Sequence, residues 1–426
     1  MTIVISGFLL LIFSGLPIVF ALGVAALLAI VMLTEVPVVI VGQRLFGGVN
    51  SFSLMAIPFF VTAGILMAEG GIARRFVELA SAVVGWITGS LYMIAIVTST
   101  GLAAISGSGS ADTAAVGSIL SPEMKRRGYD LDVGAAIIAA GGALAPIIPP
   151  SIIMVVIAIT SNLSIGAMFL GGILPGVLIA IGLAAACWII AKRGGAAYRD
   201  SEPFSTGRLG RTFVAALPGL TLPVIIVGGI VGGVFTPTEA SCIAVIVTLL
   251  ISLFIYREIS FSDVPRLLLK SISLSAAVLI IVATASVFSW IIASLGAPRM
   301  LDSWLRSITD SPIVFLLVVN LFLLLLGMFM ESISAVLIVL PVLMPIAISY
   351  GIDPVQFGVM AGLNLAIGTI TPPYGICLFV ASMVSGRKVE QVSRKVWIPL
   401  LPMLIVLALT AYVPAVSLTL PRAFLP

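Results

Sequence analysis

Histidine is absent from this sequence, and charge is scarce: Lys and Arg number 21 and Asp and Glu 17, together 9% of 426 residues. Without histidine the chain lacks the commonest general base and nitrogen ligand. It also contains no HExxH and no GxxxxGK[ST] segment, which leaves an intramembrane metalloprotease or a P-loop ATPase without its chemistry. Cysteine is scarce too. Cys187, Cys242 and Cys377 stand singly in apolar runs with no CxxC spacing, so they read as small hydrophobes, not as disulfide partners or metal ligands. No charged side chain precedes Glu35 and no basic one precedes Arg44; a cleavable signal peptide, which needs a basic leading region, is not expected. Long polar segments are missing as well. The longest, KRGGAAYRDSEPFSTGRLGRT at 192–212, is too short to fold as a domain. The formal net charge of +4 does not point to nucleic acid, because the basic residues gather in loops beside apolar runs.

What the chain does have is apolar surface: 61% hydrophobic residues and a mean hydropathy of +1.29. Apolar runs of about 18 or more residues recur along it, which predicts an all-α polytopic membrane protein and not a barrel.

Two of these runs are interrupted alike, by LAPIIPPSI at 144–152 and GTITPPYGI at 368–376. Superposing Pro149-Pro150 on Pro372-Pro373, an offset of 223 residues, also brings Pro122 onto Pro345 and Asp130 onto Asp353, the latter in matching Gly-x-Asp turns. SGSGS at 106–110 then falls on FMESI at 329–333. The chain therefore reads as two repeat units, 1–191 and 213–426, joined by a basic linker at 192–212. Basic residues cluster at 125–127, in the linker, at Arg257, Arg266 and Lys270, and at Arg387, Lys388, Arg394 and Lys395, which places all of these in the cytoplasm. The loop at 121–132 is basic while its repeat partner near 346–355 has no basic residue. The repeat is thus expected to be inverted. Spans are expected over 167–191, 213–234, 239–256, 272–295 and about 396–420. The segments 73–86 and 298–310 read as amphipathic arms at the interface.

Between arm and Gly-x-Asp turn, about 90–124 and 312–347, the chain must return to the face it left. Arms of about 14 to 16 residues reach only ~21 to 24 Å, so both segments are expected to be re-entrant hairpins. The alternative is two tilted complete spans, which would move the basic clusters to other sides. The broken helices are placed at about 133–162 and 355–386. Proline lacks an N–H and clashes with the carbonyl four residues back. On that arithmetic Pro149 and Pro150 free the carbonyls of Ala145 and Pro146, and Pro372 and Pro373 free those of Gly368 and Thr369. Freed carbonyls beside a helix C-terminus suit a hard cation such as sodium, and the following helix N-terminus suits an anion. The hairpin tips, with Ser106, Ser108 and Ser110 in one and Gly327, Glu331 and Ser332 in the other, are expected to complete the sites. Glu331 reads either as a coupling group or as a post that orders its loop. Asp112, Glu69 and Glu239 are the other acids in or beside apolar segments; Glu239 is expected to take part in capping a helix from Thr236 or Thr238.

The segments ISGSGSADTAAVGSILSPEMKRRGYD, PIIPPSI, GGVFTPTEAS, GMFMESISAVLIVLPVLMPIA and GTITPPYGICLFV together resemble the large membrane subunit, DctM-like, of tripartite ATP-independent periplasmic (TRAP) transporters, over essentially the whole chain. The resemblance implies a sodium-driven importer of organic acids in the bacterial inner membrane, of the wider ion-transporter superfamily, with a mobile transport domain moving past a scaffold like an elevator. It implies two partners, a small four-helix membrane subunit and a periplasmic substrate-binding protein. It implies no cofactor beyond sodium as the coupling ion. One sodium site would use Ala103, Ser106, Ala145, Ile148 and Pro150; the other would use Gly327, Gly368, Thr371 and Tyr374, mostly through main-chain carbonyls. Two positions depart from the family pattern: Ala103, where serine is common, and Ala145, where glycine is common. Ser108, Ser110, Thr369 and Glu331 are the candidates for holding the substrate carboxylate. A proton-coupled or binding-protein-independent carrier of the same fold is the alternative, and a proton relay is thin with Glu331 the only acid at a tip. Dicarboxylates, sugar acids and keto acids all fit.

Overall fold

The structure, a computed structural model, describes residues 2–194, 198 and 203–425, and every regular element among them is helical. The first unit comprises α1 (Thr2–Phe13), α2 (Ile18–Leu33), α3 (Val39–Val49), α4 (Ala56–Glu69), α5 (Ile72–Val84), α6 (Ser90–Ser106), α7 (Gly109–Arg126), α8 (Leu131–Gly142), α9 (Ile152–Thr160) and α10 (Ile165–Arg193). The second comprises α11 (Thr206–Val231), α12 (Pro237–Leu250, prolonged by a π-helical turn), α13 (Val264–Ser294), α14 (Ala297–Ile308), α15 (Pro312–Phe329) and α16 (Ser332–Ser349). It continues with α17 (Pro354–Gly368), α18 (Ile376–Ser385), α19 (Val389–Ser393), α20 (Trp397–Tyr412) and α21 (Ala415–Phe424). Seven helical stretches among the described residues are long and apolar enough to cross a membrane.

The repeat is written into these boundaries. Displaced by 223 residues, both ends of α7 land on the ends of α16, and the first residue of α8 lands on the first of α17. The local causes repeat too. Gly128 and Gly351 take φ of +73° and +77° before the turn, a conformation open to glycine at no steric cost. Asp130 then accepts from the Asp132 and Val133 N–H groups, and Asp353 from those of Val355 and Gln356, so each starts its helix as an N-cap. The Pro149–Pro150 and Pro372–Pro373 peptide bonds are both cis.

The broken helices are α8 with α9 and α17 with α18, as the prolines lead one to expect. The hairpins are α6–α7 and α15–α16, and here the sequence reading falls short. Their arms are 17 or 18 residues long, about 26 to 27 Å, because the helices run on through glycine, serine and internal prolines at 122, 341 and 345. Two further expectations change. Helix α10 extends to Arg193 and α11 begins at Thr206, which shortens the linker at both ends; residues 195–197 and 199–202 of it lie outside the described residues. The terminal span is not one helix, since α20 and α21 meet at 61° around Pro414. The arms are α5 and α14. On α14, Met300, Trp304 and Ile308 form an exposed apolar stripe at i, i+4, i+8, the pattern of a helix lying in an interface.

The helices sort into two groups that also touch one another, chiefly α5 on α6, α13 on α16 and α4 on α6. Helix α4 lies along α12 and α13, α13 also packs on α2 and α3, and α5 on α11. The second group holds both hairpins and both broken helices, backed by α10, α20 and α21. Within it the first hairpin arm lies on its own unit's broken helix, α6 on α8 and α15 on α17. The second arm packs on its own unit's broken helix as well, α7 on α8 and α16 on α17, and also reaches the other unit's, α7 on α18 and α16 on α9. This crossing brings the two breaks and the two tips into one core. Helix α10 closes in tightly on the first break, since a Cβ at Gly172 would stand 2.4 Å from the Ile147 carbonyl oxygen and one at Gly176 2.6 Å from Ile148.

Candidate ion and anion sites

The second tip meets the second break directly. A Cβ built on Gly368 would stand 2.6 Å from Gly327 Cα and 2.8 Å from the Gly327 carbonyl oxygen, so the ends of α15 and α17 touch backbone to backbone. Beyond α15 the Met330 N–H goes to Leu326, and no backbone N–H from another element among the described residues bonds to the Gly327 carbonyl. The Thr371 and Thr369 hydroxyls donate back to the carbonyls of Ile367 and Ala366 at 2.9 and 2.6 Å, which leaves their oxygen lone pairs facing away from the helix end as acceptors. Gly327, Gly368 and Thr371 are therefore brought together as expected. Tyr374 is joined to this tip through its ring, whose centroid lies 5.7 Å from that of Phe329; the side chain is exposed.

At the first break Ala145, Pro150 and Ala103 are buried and Ile148 half-buried. Gly107, at the tip, would place a Cβ 3.1 Å from the Pro150 carbonyl oxygen, and one turn below the predicted residues Gly141 would place one 2.4 Å from the Ser99 hydroxyl. The α6 C-terminus and the first break thus run side by side. No backbone N–H beyond α6 bonds to that helix's last carbonyls, and none reaches the Ala145 carbonyl.

The proline arithmetic needs correction on three of its four carbonyls. Pro146 accepts the Ser151 hydroxyl at 2.6 Å, Gly368 accepts the Thr371 N–H at 3.0 Å, and Thr369 accepts the Cys377 N–H at 3.0 Å. The local turn recaptures what the prolines release; Ala145 alone stays free. Each recaptured oxygen keeps a second lone pair, but the wholly unpartnered carbonyls come mostly from the hairpin C-termini, Gly327 among them. Sequence reasoning missed this because it needs the turn geometry of the break, although Ser151 and Thr371 in the quoted segments were the signal.

Four helices begin within this core, and they differ at their first turns. Helix α9 is capped by Ser151 and α16 by Glu331, which accepts from the Ile333 and Ser334 N–H groups at 3.0 and 3.1 Å. Helices α7 and α18 have no side-chain cap. These two pack on each other, with Gly109 so placed that a Cβ there would stand 3.2 Å from Cys377 Sγ. Ser108 and Ser110 are half-buried at the start of α7, and Thr369 lies across from them beside Cys377. Two positive helix ends without side-chain caps and the hydroxyls of Ser108 and Ser110 converge here, a setting for a carboxylate. The Cys377 N–H and the Thr369 hydroxyl proton are already bonded. Glu331 stands apart as the post of its own loop, its Oε2 accepting both cap bonds.

Two of the remaining acids have partners. Glu69 pairs with Lys270 at 2.9 Å, and Glu239 completes a capping box with Thr236. No group of three or more His, Cys, Asp or Glu side chains suited to a metal occurs among the described residues.

Comparison with known proteins follows the same lines. The family model described as "Tripartite ATP-independent periplasmic transporter, DctM component" matches residues 5–416. The C4-dicarboxylate TRAP transporter large permease protein DctM of Rhodobacter capsulatus is 39% identical over 99% of this chain and 98% of its own. The sialic acid TRAP transporter large permease protein SiaM of Vibrio cholerae is 38% identical over 99% and 98%. Among solved structures, the YdaH transporter of Alcanivorax borkumensis shares the fold with a TM-score of 0.60 at 14% identity, over 89% of both chains.

Proposed function

This chain belongs to the family of DctM components of tripartite ATP-independent periplasmic transporters, and on that premise we propose that it is a sodium-coupled permease taking organic anions from a periplasmic binding protein. It is a multi-pass protein of the bacterial inner membrane that carries organic acids and catalyses no reaction. The observation that carries the finer reading is the pairing of two uncapped helix N-termini, α7 and α18, between two carbonyl-rich breaks. The N-termini would take the substrate carboxylate, with Ser108 and Ser110 as donors; Thr369 would donate only by releasing the Ala366 carbonyl. The breaks would take sodium, one through Ala103, Ser106, Ala145, Ile148 and Pro150, the other through Gly327, Gly368, Thr371 and Tyr374. Opposite charges then fill neighbouring sites, and each raises the affinity of the other. Helix group and hairpin group would slide past one another as scaffold and transport domain. A small four-helix membrane subunit would complete the membrane unit.

The test is uptake into vesicles holding this chain and its partner subunits. Accumulation should require sodium outside and proceed without ATP. Equal accumulation in potassium under an imposed proton gradient would establish the proton-coupled alternative instead.

A further inference from the structure

Asp112 is a second acid of the hairpin core, and unlike Glu331 it caps no helix. It lies in the first turns of α7, is 3% exposed, and its Oδ2 has no hydrogen-bond partner. No lysine or arginine pairs with it among the described residues, and the Ser106 hydroxyl, which accepts the Ser108 N–H at 3.2 Å, stands beside it. Both residues line a cavity of about 10 Å³ closed by Gly64, Met67 and Ala68 of α4. That is room for one water-sized particle. The Ser106 carbonyl faces the same wall, where a Cβ on Gly64 would stand 3.0 Å away, and it receives no backbone N–H.

An ionised carboxylate buried without a partner is costly. The α7 dipole eases this, but the same helix end is the one offered to the substrate, and a bare Asp112 one turn away would repel an anion there. We propose that Asp112, with Ser106, binds a monovalent cation of sodium size in this cavity, and that this cation is the charge that lets an organic anion bind at the start of α7. This inference rests on the sodium-coupled reading and adds to it a side-chain carboxylate ligand beside Ser106, the residue it shares with the first main-chain site.

The experiment is thermal unfolding of the purified chain in detergent, titrated with sodium chloride against N-methylglucamine chloride at constant ionic strength. The wild type should gain stability with sodium. Asp112→Asn keeps the shape and removes the charge, so it should melt at or above the wild type without sodium and show a sodium midpoint raised about tenfold or more. A role confined to packing would instead lower the melting temperature equally in both salts, and that result overturns the proposal, as does an unchanged midpoint. If Asp112→Asn does not survive purification, Asp112→Ser must raise the midpoint about tenfold; an unaltered one refutes the site. A wild type indifferent to sodium would refute sodium coupling itself, whereas a responsive wild type with an equally responsive Asp112→Asn would refute only this site.

Discussion

A methyl group added at Gly368 would meet main-chain atoms of Gly327 at 2.6 Å, while one added at Gly327 would meet its nearest neighbour, Gly368 Cα, only at 3.2 Å. Backbone cannot swing aside as a side chain can, so the two glycines are not equivalent although they face each other. Gly368→Ala must push the end of α15 off α17, at a cost of ~1 to 3 kcal/mol by analogy with overpacked cores. Gly327→Ala asks for a shift of a few tenths of an ångström. Melting temperatures should fall more for Gly368→Ala, and the sodium requirement for uptake should rise only in that variant. Equal responses would mean that the two helix ends do not touch in the working protein. At this scale the sequence was legible where a residue acts on its own neighbours, as with Glu239 and Thr236 forming the capping box of α12. It was not legible where partners arrive by turning back. The Thr371 N–H reaches Gly368, and the Ser151 hydroxyl reaches Pro146, only because the chain folds over itself after each proline pair.

Glu331 shows how an element, more than its chemistry, can explain an intramembrane acid. It is the N-cap of α16, and one carboxylate oxygen accepts two of the orphan N–H groups of that helix. Glutamine retains an oxygen in the same place, so Glu331→Gln should fold and transport nearly as the wild type does. Glu331→Ala strips the cap and should cost ~0.5 to 2 kcal/mol of stability. Sodium-driven uptake that survives alanine but fails with glutamine is not compatible with a cap. Loss of sodium dependence in Glu331→Gln would reassign the residue to ion coupling. The helices themselves were readable from apolar runs and proline pairs, and the arms from amphipathic spacing in 73–86 and 298–310. Hairpin lengths were not, because glycine, serine and proline were read as ends whereas packing against the broken helices carries α6, α7 and α16 through them. Nor was the 61° bend before α21, since Pro414 sits in an apolar run that reads as a continuous span.

For the molecule as a whole, inversion of the repeat is the claim on which paired sites depend, and the ion pairs at its two turns bear on it. Asp130 is approached by Lys395 at 3.9 Å and Asp132 by Arg387 at 2.6 Å, while Asp353 is approached by Arg422 at 3.8 Å. Lys395 precedes α20 and Arg422 lies near the end of α21, so the terminal helix pair separates the two turns. Helix α20 alone covers about 24 Å along its axis. Exposed pairs of this kind contribute little stability, but they mark which loops share a face. The basic turn should therefore be cytoplasmic, and the turn around Asp353, with Arg306 of α14 donating to the Ser349 carbonyl at 3.0 Å, periplasmic. Single cysteines at Arg126 and Asp310, whose side chains are 75% and 82% exposed, report on the two faces. Cys187 and Cys377 are buried and Cys242 half-buried, so the native chain sets a low baseline. A membrane-impermeant thiol reagent on intact spheroplasts should label Asp310→Cys at once and Arg126→Cys only after lysis. Labelling of both before lysis would put the two turns on one face. The tips could then not enter from opposite sides, and the α7–α18 and α16–α9 crossings would have no inverted axis relating them.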